Sequence, residues 1–553
     1  MTTMPHVVRL SIFLLITNAA FAAQRAVVPA PQAPPDWQIA GTVISALDGR
    51  PVSGAQVRIV SNNNPTSADA ALTGSDGRFV FHGLTPGKYV LQARHYGFVR
   101  QGYQQHGSYF TGIAVGPGLP APDLLFRLQP AAVISGKVFD QAGDPVREAS
   151  VMLLHKALVN GQWATRLSDS VTTDDQGSFH FGQLLPGSYF VLVTAQPWFA
   201  RFAMRSGMAT VGNLTATVAD SSFDVAYPIT YYQDAADLSD ATPIELQAGE
   251  HSTADITLTP VPAQHITVRT ADSNPASGFT ASLTQHVADG STIPVQTMFQ
   301  QVAPGVFESE GVPPGSYEMD GRFYGPNSGR QGREQIRTVE AGKGHEVDLG
   351  ESSDAASVSG SVRFIPAVKP PAHLFIVLSP RNAQNVLSAE ITPRSDFVFD
   401  RPVPPGEYEA GSSFAGEFFV VSVGATGATV KGRMLQIAGS DPVTLQVVMS
   451  RGVAQVKGTA VRDGKPISGA LVVLVPRDPA NNQPLFRADQ SDSDGTFTLP
   501  SIVPGKYTLV AVDNGWGLEW RNPAALKPYL SRGQVLQIAP EGRYNIRPEV
   551  QDF

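Results

Sequence analysis

Histidine, aspartate and the aromatic residues are the side chains of this chain that could bind or react, and their spacing decides between chemistries. A zinc peptidase needs clustered ligands such as His-x-x-Glu or His-Glu-x-x-His, which hold the metal and let it polarise water. None of the eleven histidines begins either pattern, and residues 453–553 contain no histidine. The nearest case, His345-Glu346-Val347-Asp348, reads as part of a closing strand pair. Cysteine is absent, which excludes disulfides, thiolate metal sites and thiol nucleophiles. No Gly-x-Ser-x-Gly elbow, phosphate loop or dinucleotide glycine set stands between a strand and a helix. Helix itself is scarce: only Asn522-Pro523-Ala524-Ala525-Leu526-Lys527-Pro528-Tyr529 reads as a short turn of it.

Three aspartate groups superficially resemble calcium loops: Asp76-Gly77, Asp174-Asp175 and Asp489-x-x-Asp492-x-Asp494-Gly495. Three oxygen ligands are too few without a bidentate acid at the far end, so these read as turn chemistry. The expectation is therefore no metal, no cofactor and no catalysis.

Aromatic rings are the better candidates for recognition. Residues 94–110 hold Tyr96, Phe98, Tyr103, Tyr109 and Phe110. A second group holds Trp198, Phe199, Phe202, Tyr227, Tyr231 and Tyr232, and a third Trp516, Trp520 and Tyr529. Exposed rings beside Arg, Asn and Gln can stack on sugar faces or anchor a protein partner. The alternative is that they pack the end of their own domain or the interface with the next.

The elements that position these rings are strands. Leu84-Thr85-Pro86-Gly87-Lys88-Tyr89 returns as Leu185-Pro186-Gly187-Ser188-Tyr189, Pro313-Pro314-Gly315-Ser316-Tyr317, Pro404-Pro405-Gly406-Glu407-Tyr408 and Val503-Pro504-Gly505-Lys506-Tyr507. Pro-Gly marks a turn, with Gly expected at φ > 0, and the alternation after it puts each Tyr on the apolar face of a strand. The tyrosines are 100, 128, 91 and 99 residues apart, the size of a small β-sandwich. Phe79, Phe179, Phe307 and Phe497 each precede their Tyr by ten residues. Phe397 precedes Tyr408 by eleven, which predicts a bulge or longer turn. Each unit closes with another alternating pair around a turn, as in Ile244-Glu245-Leu246 leading to Ile256-Thr257-Leu258.

The fold class expected is all-β: five tandem Ig-like or prealbumin-like β-sandwich modules behind a signal peptide. Residues 1–22 read as that signal, with Arg9, an apolar run from Leu10 to Ile16, and Ala20-Phe21-Ala22 placing cleavage between Ala22 and Ala23. The run is far shorter than the ~20 residues a membrane span needs. A Pro/Ala linker follows at 23–36. The modules are expected at 37–130, 131–262 (with an aromatic-rich extension at 197–240), 263–352, 353–452 and 453–553. Modules 3 and 4 are degenerate.

The motif order Gly-x-Val, Pro-x-x-Gly-Ala-x-Val, Asp-x-x-Gly-x-Phe, Leu-x-Pro-Gly-x-Tyr resembles the carboxypeptidase regulatory-like domain. It stands at Gly41, Ala55, Gly77 and Tyr89 in module 1, and again through modules 2 and 5. The resemblance implies a prealbumin-like sandwich, grouped with carbohydrate-binding-like folds, and no catalysis in itself. Tandem modules behind a signal resemble exported bacterial proteins.

With a net charge of −8 and no basic run, nucleic acid is not an expected partner. The reading is an exported protein, periplasmic, surface-bound or released, monomeric, and with no transmembrane segment in its mature chain. Its expected role is binding a carbohydrate or cell-envelope glycan. The alternatives are a structural or adhesion scaffold for another envelope protein, and an accessory subunit of an extracytoplasmic enzyme.

Overall fold

A phenylalanine ring lying across a glycine organises the first sheet of four of the five modules. Gly41 pairs with Phe79, Gly136 with Phe179, Gly360 with Phe397 and Gly458 with Phe497 across antiparallel strands. A Cβ at any of these glycines would fall within 2.6–2.8 Å of the Phe ring tip. It would also lie 2.0–2.5 Å from a carbonyl of the strand on the other side. Only glycine lets ring and neighbouring strand close together there. Module 3 has Val268 opposite Phe307, and there the ring packs on Phe279, 5.2 Å between centroids.

The computed structural model describes residues 37–200, 223–269, 278–287, 292–295, 297–309, 311–324, 333–341, 346–348, 355–380, 386–414 and 416–553. The signal segment 1–22 with Ala22 and Ala23, the 23–36 linker and Phe202 lie outside the described residues. No helix among the described residues is long and apolar enough to cross a membrane.

Among the described residues the chain forms five pairs of facing sheets that share a central strand order, with a strand added to the first sheet in modules 3 (Phe299–Ala303) and 4 (Phe418–Thr426). In module 1, Trp37–Ser45 runs antiparallel to Arg78–Leu84 and parallel to Asp123–Leu128. In the facing sheet, Gln56–Ser61 lies between Asn64–Leu72 and the Tyr strand Gly87–Arg94. Module 5 repeats this with Ala454–Thr459 between Thr496–Ile502 and Arg543–Ile546, facing Leu471–Pro476 beside Gly505–Asp513. Inward-facing residues of the two sheets form a separate apolar core in each module.

Two turns join strands of different sheets instead of making hairpins. The turn Gly74-Ser75-Asp76-Gly77 joins Asn64–Leu72 in one sheet to Arg78–Leu84 in the other. The closing pair crosses the same way: Ile244–Leu246 joins the Tyr strand, whereas Ile256–Leu258 runs parallel to the first strand. Local alternation sets which side chains face inward and leaves the choice of sheet open.

The Pro-Gly turn also differs from expectation. None of its five glycines sits in the left-handed helical region; Gly87 and Gly315 have φ of 158°, and the other three have no positive φ. What secures the turn is the tyrosine. Each hydroxyl donates to the carbonyl four residues earlier, at 2.6–2.9 Å: Tyr89 to Thr85, Tyr189 to Leu185, Tyr317 to Pro313, Tyr408 to Pro404 and Tyr507 to Val503. Burial pushes the phenols of Tyr189, Tyr317, Tyr408 and Tyr507 up to about 12, so they remain donors throughout the ordinary pH range.

The left-handed residue comes earlier, at Gly83, Gln183 and Ser501, where a bulge shifts the Phe strand's register in modules 1, 2 and 5. In module 4 the strand instead stops at Val398 and resumes as a bridge at Val403, a longer turn that absorbs the extra residue.

Two substitutions test this frame. Gly458→Ala drives a methyl onto Phe497 and a backbone carbonyl and should cost about 1–3 kcal/mol in urea unfolding of module 5. Tyr507→Phe removes one hydroxyl bond and should cost about 1 kcal/mol in the same transition.

Candidate functional site

The segments after the Tyr strands of modules 1 and 5 meet each other. In module 1 the chain runs from Gln101–Gly102 through Tyr103, whose ring is buried edge-on against Phe126, to Gln104 at φ 47°. His106 and Tyr109 then bridge to each other, and Thr111 is fully buried. Opposite them lie the Asp-x-x-Gly turn of module 5 and Trp516.

The contact is mostly polar and closely matched. The Gln490 amide, 2% exposed, donates to the Gln104 carbonyl at 2.8 Å and to the Thr111 hydroxyl at 2.7 Å. His106 Nδ1 donates to Gln490 Oε1 at 3.2 Å, and the imidazole stacks on Trp516 at 4.8 Å with the planes 3° apart. Desolvation lowers the pKa of His106, favouring the neutral, stacking ring. Tyr109 packs on Trp516 at 5.3 Å, and the indole N–H is held by the Gly469 carbonyl at 3.0 Å.

Asp492 completes the junction. Its Oδ1 accepts from Gly112 N at 2.9 Å, and its Oδ2 is ion-paired with Lys88, which also donates to Thr496. Ser493 N donates to the Gly112 carbonyl, tying backbone to backbone, and Ala114 N donates to the Ser493 hydroxyl. Burial outweighs the Lys88 attraction and leaves the Asp492 pKa raised, so this ion pair is a register device more than a source of stability. Neighbouring Asp489 accepts from Thr498 N and Gln490 N, and Asp494 from Thr496. The three carboxylates therefore serve different partners. No group of three metal-ligating side chains occurs among the described residues.

Module 5 also touches modules 2 and 4. The hairpin of module 2 brings Gly161 onto Trp520, where a Cβ would lie 2.3 Å from the indole. The Gly161 carbonyl accepts from Arg521 N at 3.1 Å. Trp520 is 3% exposed, with Phe486 and the Arg521 guanidinium on it. From module 4, Glu409 and Arg433 face Arg487, Arg521 and Tyr507 of module 5. Modules 2 and 3 share a further apolar cluster of Met152, Leu154, Tyr231 and Ile293. Arg401 of module 4 is paired with Asp320 of module 3. Between modules 1 and 2, Gly249 N donates to the Pro130 carbonyl and Ala131 N to the Gly97 carbonyl, so contacts run from each module to the next and from the last back to the first.

The candidate rings divide accordingly. Tyr103 and Tyr227 belong to module cores, Tyr231 to the cluster between modules 2 and 3, and Trp520 to the junction with module 2, so none of these four offers an open face. Trp516 and Tyr109 are half-buried between modules 1 and 5. Phe98 and Tyr232 are half-buried against their own cores. Phe110 is partly exposed, and Phe199 is half-buried beside Trp198. Two rings stand in solvent, Tyr96 at 97% exposure and Trp198 at 84%. The late helix Pro523–Leu530 is capped by Asn522 and buries Leu526, with Tyr529 packed alongside.

Sequence reasoning missed a recurrent hydroxyl. Thr73, Thr173 and Ser491 are buried, and each accepts from the backbone of the Pro-x-x-Gly-Ala loop while donating to a carbonyl in it. Each stands four residues before the turn glycine, and that spacing was the available signal.

Fold and site together define a closed set of β-sandwich modules joined by packed, polar junctions. Residues 38–128 and 133–259 match the family model of the carboxypeptidase regulatory-like domain. No curated protein matches the chain. Among solved structures it is similar to the Bacillus anthracis TIE protein, with 12% identity over 76% of each chain and a TM-score of 0.17. It is also similar to GBS52, the minor pilin of Streptococcus agalactiae, with 11% identity over 41% of this chain and 97% of that one, TM-score 0.21. A third is the shaft pilin SpaA of Lactobacillus rhamnosus GG, with 11% identity over 41% and 98%, TM-score 0.19.

Two measurements test the junctions. Lys88→Glu should separate modules 1 and 5, raising the radius of gyration in small-angle scattering, and Lys88→Glu with Asp492→Lys should restore it. Burial raises Asp489 from 3.8 to about 6 and Glu409 from 4.5 to about 7. A raised carboxyl binds its proton more tightly when folded, so its stabilisation is complete below the unfolded value and lost as pH rises through the folded one. Stability of the closed form should therefore fall between about pH 4 and 7, and Glu409→Gln should flatten the upper part of that decline.

Proposed function

We propose that the chain is a non-catalytic extracytoplasmic scaffold, five sandwiches closed into one body that presents its remaining loops to a protein partner. The observation that carries this reading is the closure of module 5 onto module 1. The loops that a binding array would turn outward, those after the Tyr strands, are used here to hold two modules at fixed orientation. An array that searches for scattered glycan sites gains from mobile linkers, whereas a presenting surface gains from rigidity. Export rests on the expected signal at 1–22.

Glycan recognition is the second reading, supported by Tyr96 and Trp198, whose rings stand in solvent where they could stack on a sugar. The two separate by experiment. A partner crosslinked from extracts of the producing cell's envelope should be recovered with the wild-type chain and lost with the opened Lys88→Glu variant. Binding on a glycan array that Tyr96→Ala or Trp198→Ala abolishes would overturn the scaffold reading in favour of the second.

A further inference from the structure

The backbone passes from module 4 to module 5 by the same hydrogen bonds that carry it from module 1 to module 2. Val453 N donates to the Glu417 carbonyl as Ala131 N does to that of Gly97. Glu541 N donates to Gly452 as Gly249 N does to Pro130, and Gln455 N to Gly542 as Val133 N does to Glu250. A left-handed bulge residue stands beside each junction, Ser501 in the later and Gln183 in the earlier. The side chains on this shared frame differ. Where the earlier junction has Gly97, Gln129, Gly249 and His251, the later one has Glu417, Arg451, Glu541 and Arg543. The earlier junction closes without those four charges, so closure does not require them.

All four line one cleft of about 510 Å³ between modules 4 and 5, together with the linker Gly452-Val453-Ala454. Arg451 and Glu417 neutralise each other in an ion pair at 2.6 Å. Arg543 and Glu541 stay uncommitted: neither side chain makes a hydrogen bond or ion pair among the described residues. The cleft falls within the size of small-molecule sites, roughly 300–1,000 Å³. No aromatic ring lines it, so it offers no platform for a sugar. Its two acids and two bases balance, which disfavours polyanions and polycations alike. An uncommitted guanidinium and an uncommitted carboxylate in one cleft are satisfied together by a molecule that carries both charges.

We propose that the cleft between modules 4 and 5 binds a small zwitterion, a free amino acid or dipeptide, with its carboxylate on Arg543 and its ammonium on Glu541. The Gln455 amide and the Ser501 hydroxyl, which also line the cleft, supply neutral hydrogen bonds. The inference is independent of the scaffold reading, because it concerns a small molecule at one junction, whatever protein the outer loops meet.

Calorimetric titration of the full chain at neutral pH and low salt tests it with three probes: alanylalanine, its N-acetyl derivative and its C-terminal amide. Alanylalanine should bind saturably at 1:1, and each capped form about tenfold more weakly or worse. Arg543→Gln should abolish the preference for the free carboxylate and keep that for the free ammonium. Glu541→Gln should do the reverse. Both side chains are exposed, and the earlier junction folds with His251 and Gly249 in their places, so the variants retain the fold. Heat that never saturates with alanylalanine, equal affinity for all three probes, or a preference that survives its own variant would overturn the proposal.

Discussion

A hydroxyl of tyrosine bonded to the carbonyl four residues before it is the constraint on which each module depends. It closes a loop around the Pro-Gly turn, satisfies a buried donor, and fixes the angle at which the chain leaves one sheet and enters the facing one. The ring itself fills the core. Because the bond recurs five times, including in modules whose other motifs have decayed, the turn tolerates loss of the first-strand glycine and of the Pro-x-x-Gly-Ala loop. Val268 in module 3 illustrates such a loss. The strand pair survives there because the Phe307 ring has Phe279 to lean on.

The fold was legible in the sequence wherever a local requirement forces a residue type. Glycine under a phenylalanine ring, proline before the Tyr strand, and period-two alternation all have short-range causes, and the module count followed from them. Which sheet a strand joins was not legible, since Ile244–Leu246 and Ile256–Leu258 alternate alike and part company only through long-range pairing. The role of the Pro-Gly glycine was misassigned for a related reason. Composition suggests a left-handed turn, but the positive φ sits at Gly83, Gln183 and Ser501, three different residue types.

The junctions were hardly legible at all. Lys88 and Asp492 stand 404 residues apart, and nothing near either announces the other. Asp492 drew notice as a would-be calcium ligand, and Trp516 and Trp520 as platforms for sugars. Their types were informative, since large flat rings and buried carboxylates suit interfaces in general. What they face depends on how rigid bodies stack, and alternation within one strand holds no information on that. Glu409 and Arg521 show the same limit. Each is an ordinary charged residue on a strand or loop until another module removes its water.

Closure of the last module onto the first carries an evolutionary consequence. Open arrays of repeated domains lengthen and shorten by duplication and loss, because each unit contacts only its neighbours and any number of units is a complete molecule. Here the surface of module 1 that meets Trp516 and Gln490 is matched to module 5 by stacking and paired hydrogen bonds. Gain or loss of one unit between modules 1 and 5 would leave both surfaces uncovered and misaligned. The number of units between the two is therefore a geometric condition of the junction, whereas their outer loops carry no such condition.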